Sequence, residues 1–179
     1  MTRYVVFLRG VNVGGHNLVK TSDICKRLAS LGFANVRGFK QSGNIIFETE
    51  DRDSARIAAG IRQELRGLLG KDIDVFLRTM PEVSEMVRLD PFRDVKRGDV
   101  KMFVTFLPGE LREVPMLPLK SSDGDAEIIL VRGREAFGLG YLKDGRYGAS
   151  YGTIEKKLGA TATTRNWNTV KGIAALPDI

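Results

Sequence analysis

The chain of 179 residues is poor in the side chains that staple folds or run catalysis: one cysteine, one histidine, one tryptophan and six prolines. The single Cys25 excludes an intrachain disulfide and fits a reducing, cytoplasmic setting. It lies between Ile24 and Leu28 in an apolar helical stripe, which reads as inert core packing. The lone His16 excludes mechanisms built on a histidine pair or a histidine-rich metal centre, and nothing implies a metal or a cofactor. Long apolar runs are missing. The stretch after Arg3 ends at Leu8, too short for a signal-peptide core or a bilayer span, so no membrane association is expected.

What is present is an ordinary globular composition, 42% hydrophobic and 28% charged. A chain of this length buries ~70% of its unfolded surface without disulfide or metal staples. The 28 Lys and Arg against 22 Asp and Glu give a net charge of +6, which leans toward anionic partners. The basic residues are scattered without a run of five or six, and a solvated surface accounts for most of them.

The first half punctuates cleanly. Tyr4–Leu8 reads as a strand, and Thr21 or Ser22 caps a helix carrying Ile24, Cys25, Leu28 and Leu31. Val36–Phe39 and Ile45–Thr49 form a hairpin around Gln41-Ser42-Gly43-Asn44. Ser54–Leu69 shows helical spacing of Ile57, Ile61, Leu65 and Leu68, and Ile73–Leu77 reads as a further strand. The order βαββαβ predicts an α+β fold with a ferredoxin-like plait over residues 1–78. Residues 79–179 read as a second, looser plait-like half, packed with the first as one compact unit and lacking a visible closing strand. There Thr79-Met80-Pro81-Glu82 is a capping box. Val100–Leu107, Ala126–Val131 and Glu135–Leu142 read as strands, the proline-bearing Glu110–Asp125 as irregular. Helices are expected near Thr153–Leu158 and from about Thr164.

The connection Arg9–Lys20 is long for a strand-to-helix loop and holds three glycines, two asparagines and the only histidine. Such loops are disproportionately functional. Right-handed crossovers put this loop and the Gln41–Asn44 turn at one edge of the sheet. Gly14–Thr21 differs by one residue from a Walker A loop, but Val19 replaces the second glycine and resists the phosphate cradle's backbone freedom. A milder anion site remains, in which loop N–H groups, Arg9, Lys20 and a helix N-terminus hold a small negative ligand. The candidate ligand-binding residues are Arg9, Asn12, Gly14, Gly15, His16, Gln41, Ser42 and Asn44, with Arg146, Arg165 and Asn168 as a second tier. Two rival readings stay open. One is an enzyme using His16 as acid or base and Arg9 to steady developing charge; the other is a protein-interaction domain without ligand. Sequence-specific nucleic-acid binding is not expected, because Ser42–Glu48 offers only Phe47 for base stacking. The oligomeric state stays open.

The segments FLRGVNVGGHN at Phe7–Asn17, QSGN at Gln41–Asn44, TTRNWNT at Thr163–Thr169 and LASLGFANVRGF at Leu28–Phe39 together resemble a widespread, mostly bacterial family known as domain of unknown function 1697. The resemblance spans essentially the whole chain. It implies a cytoplasmic α/β protein related to the ferredoxin-like plait, with no established activity. Relatives often carry a Gly-Arg-Ser-Lys-Leu-like segment where this chain has Gly145-Arg146-Tyr147-Gly148-Ala149-Ser150, so Arg146 is kept and the lysine is not.

Overall fold

The structure is a computed structural model that describes residues 1–11, 19–40, 43–96, 98–148 and 151–177, with only the backbone of residues 151–153. The fold is α+β, with two antiparallel sheets, and the chain divides into two compact units, Met1–Ser84 and Glu85–Ile179. The division falls inside a helix that opens on the Thr79–Glu82 capping box. Glu82 Oε2 accepts from the Thr79 amide at 2.7 Å and from its hydroxyl at 2.8 Å.

In the first unit the elements follow the expected order: β1 (Thr2–Leu8), α1 (Thr21–Ala29), β2 (Ala34–Gly38), β3 (Asn44–Thr49), α2 (Ser54–Leu69) and β4 (Val75–Thr79). The strands lie in the order β2-β3-β1-β4, every neighbouring pair antiparallel. Period-two alternation sends Tyr4, Val6 and Leu8 of β1 into one core with Ile45 and Phe47. Ile24 and Leu28 of α1 and Ile57, Ile61 and Leu65 of α2 complete it. Val5, Phe7, Ile46 and Phe76 alternate to the opposite face and are also buried. The Asp53 carboxylate caps α2 by accepting from the amides of Ala55 and Arg56, and Gly70 ends the helix with φ +69°.

Three local expectations shift. The N-cap of α1 is Lys20 rather than Thr21 or Ser22, and it makes no side-chain cap bond. β2 begins at Ala34, ahead of the apolar Val36 that marks it in sequence. β4 runs Val75–Thr79 instead of Ile73–Leu77, because pairing of Tyr4 with Thr79 and of Val5 with Arg78 carries the ladder past the last apolar residue. Backbone pairing overrides side-chain polarity there.

The second unit comprises α3 (Met80–Leu89, which bridges from the first), β5 (Val100–Phe106), β6 (Leu119–Lys120), β7 (Ala126–Arg132), β8 (Glu135–Lys143), β9 (Arg146–Tyr147), α4 (Tyr151–Leu158), β10 (Thr163–Asn166) and α5 (Trp167–Ala174). Its sheet runs β10-β5-β8-β7-β6, with β9 paired to β8. Matched in turn, β5, β7, β8 and β10 occupy the places that β1, β2, β3 and β4 hold in the first sheet. An irregular, proline-bearing segment, including a cis Leu117–Pro118 bond, stands in sequence where α1 would be.

The sequence hides the closing strand. The expected helix start near Thr164 is instead β10, whose Thr163–Asn166 pair with Phe106–Phe103 of β5. α5 begins only at Trp167, after the Asn166 side chain accepts from the Asn168 amide at 2.9 Å. Two β-branched threonines followed by a good N-cap explain the switch. Trp167 sits edge-on to Phe92 and Phe137, with ring centroids 5.3 and 6.2 Å away.

Candidate functional site

The end of β1 and the turn entering β3 meet at one edge of the first sheet. The Leu8 amide donates to the Gly43 carbonyl at 2.9 Å, although the two residues are far apart in sequence. The Asn44 carbonyl accepts from the Phe39 amide at 2.8 Å, and its buried side-chain amide returns a bond to the Phe39 carbonyl at 3.2 Å. Gly43 has φ +69°, and a Cβ there would stand 2.8 Å from that of Leu8, so only glycine allows this approach. The start of α1 comes to the same place. A Cβ on Gly38 would collide with Thr21 Cγ2.

These contacts gather three basic residues around one edge. Arg9 follows β1, Lys20 precedes α1 and is exposed, and Lys40 follows β2 with its ammonium 5.5 Å above the Phe39 ring. The Lys20 N-cap makes no side-chain bond to the first amides of α1, which carry positive partial charge, and the Asp23 carboxylate lies in that same turn. The stretch from Arg3 to Ser22 holds no carboxylate, yet the fold supplies one. Asp74 Oδ2 accepts from Arg9 Nη1 at 3.3 Å, and its carbonyl accepts from the Arg9 amide at 3.1 Å. Both side chains are about half exposed, at 43% and 53%, so water screens the pair and leaves Arg9 able to exchange partners.

Of the candidate residues, Arg9 and Asn44 are placed together at this edge. Asn12, Gly14, Gly15, His16, Gln41 and Ser42 lie outside the described residues. The second tier belongs to the second unit. Arg146 is exposed and lines a cleft of about 390 Å³ with Asp123, Asp125, Lys143 and Tyr147. Arg165 is largely buried, donates to Thr163 Oγ1 at 2.8 Å and the Thr164 carbonyl at 2.9 Å, and has its pKa lowered to about 10 by that burial. It keeps its charge at neutral pH. Asn168 is exposed in the first turn of α5.

Two charged residues escaped the sequence reading. Asp74 is one. Arg37 is the other: it sits in β2 with Nε and Nη2 buried and without a hydrogen-bond partner among the described residues. Leaving such donors idle costs several kcal/mol. The only sequence signal is an arginine alternating with Val36 inside a strand. Among the described residues no group of three or more His, Cys, Asp or Glu is arranged to hold a metal ion, and no helix is long and apolar enough to cross a membrane.

The sequence model of a family described as "Protein of unknown function (DUF1697)" matches residues 1–137. A solved structure described as that of conserved bacterial protein SP0830 from Streptococcus pneumoniae is similar in fold, with a TM-score of 0.65 at 20% identity over 97% of each chain. No curated protein matches.

Proposed function

We propose, for a chain that belongs to the family described as a protein of unknown function, DUF1697, that the β1–β3 edge binds a small anionic or nucleotide-like ligand. The observation that carries this reading is the Leu8–Gly43 hydrogen bond, which joins the start of the glycine-rich loop to the end of the β2–β3 turn. Arg9, Lys20 and Lys40 flank that junction with uncapped helix amides, a donor-rich setting that suits oxyanions. We read the protein as cytoplasmic, in line with its single cysteine. A nucleotide ligand would be held by its phosphate. Tyr4 and Phe47 of the sheet are buried, and Phe33 stacks on Phe47 at 4.3 Å, so these rings offer no base platform.

Titration of the ¹⁵N-labelled chain with inorganic phosphate and with AMP tests the reading. The amides of Arg9, Gly10, Gly43 and Asn44 should move first and saturate. If they stay still while Val100–Leu142 responds, or if only neutral or cationic ligands bind, the edge is not an anion site.

A further inference from the structure

The geometry points to Arg37 as a second, separate oxyanion site: the Nε–Nη2 edge of its guanidinium is built to take a phosphate or carboxylate group through two parallel hydrogen bonds. Nε–H and the adjacent Nη2–H form one side of the planar fork, and these two donors are the ones left buried without an acceptor. A native protein rarely leaves such donors idle, and a missing ion or ligand is among the few physical explanations.

Among the described residues no acceptor reaches the fork. Strand register places Arg37 opposite Ile46, Ile46 opposite Val5 and Val5 opposite Arg78, so one row crosses the sheet on the face away from α1 and α2. Arg3 alternates onto the same face. Among the described strand residues, Glu48 is the only carboxylate there, and it is already committed. Its Oε1 accepts from Arg3 Nε at 2.9 Å and its Oε2 from Asn35 Nδ2 at 2.7 Å. Arg78 donates to the Leu77 carbonyl at 2.8 Å. Arg3, Arg37 and Arg78 thus share this face with one carboxylate among the described strand residues, and the Nε and Nη2 donors of Arg37 are those without an acceptor there. The protein atoms that shield the fork must yield on entry, so apparent affinity falls below the intrinsic value.

The test follows the arginine Nε–H resonances of the full chain, dialysed free of oxyanions, in separate titrations with inorganic phosphate and acetate. The Arg37 signal, assigned by its loss in Arg37→Lys, should move and saturate while that of Arg56 stays put. The better arm identifies phosphate or carboxylate as the natural group. Arg37→Lys keeps the charge without the fork, and affinity should fall at least about tenfold, the effect of one charge-assisted bond. Arg37→Met should keep or raise the melting temperature in anion-free buffer, because it removes an unpaired buried charge. A fall of about 10 °C would reveal an internal acceptor and overturn the proposal. A silent Arg37 resonance in both arms also overturns it, and if Arg9 and Gly43 amides still respond, the edge site stands without it.

Discussion

Thr105 and Thr164 share a hydroxyl–hydroxyl hydrogen bond of 2.9 Å across the β5–β10 ladder. Thr105 is fully buried, so its hydroxyl depends on the strand that the sequence conceals. Thr164→Val should cost about 1–3 kcal/mol by orphaning that hydroxyl. The double variant with Thr105→Val should lose less than the sum of the singles, read from urea midpoints. Strict additivity would remove the bond from the forces holding β10.

Trp167 is 4% exposed inside the ring cluster with Phe92 and Phe137. Trp167→Ala should destabilise the protein by ~3–5 kcal/mol, as for other large core aromatics. Equilibrium denaturation gives the value, and a loss under about 1 kcal/mol would be that of a surface position.

Gly10 and Gly43 have nearly the same φ, +68° and +69°, but different surroundings. A Cβ on Gly10 meets nothing within 4 Å, whereas one on Gly43 meets Leu8 at 2.8 Å. Gly10→Ala should therefore cost only about 1–2 kcal/mol of left-handed strain. Gly43→Ala should cost more and weaken anion binding, because the turn must move away from β1. Paired melting curves decide the ranking.

In the proposed anion site, Asp74 would compete with the ligand for Arg9, to which it is hydrogen-bonded. Asp74→Asn should raise phosphate affinity by up to about fivefold, the size of an exposed ion pair. Arg9→Ala should abolish the gain. A neutral or adverse effect of Asp74→Asn in the NMR titration would show that Arg9 takes no part.

The Arg56 guanidinium grips Asp51 with two bonds of 2.7 Å and, helped by the Asp53 amide, holds its carboxyl down at about 2 from an ordinary 3.8. The folded pKa is depressed. Its stabilisation is therefore complete above the ordinary value and is lost as pH falls from about 4 toward 2. Asp51→Asn should flatten the stability profile in that window and leave its slope near neutrality unchanged. Urea midpoints measured from pH 5 to pH 2 check this.

The sequence by itself determined most of the first unit and where its loops emerge. Helical spacing in Ser54–Leu69, the Asp53 and Gly70 stops and the Thr79–Glu82 capping box are local devices acting within a few residues. The crossover rule then sufficed to bring the Gly43–Asn44 turn beside the end of β1, as the Leu8–Gly43 bond shows. What tertiary structure decided is what depends on distant partners. Four residues of β10 are too few for a period, and only pairing with β5 makes them a strand. Burial of Arg78 inside β4 follows from its place opposite Val5, against its own polarity. Asp74 reaches Arg9, and Nε and Nη2 of Arg37 are buried without a partner among the described residues, because charge neutralisation and desolvation are set by neighbours in space and leave no periodic trace along the chain.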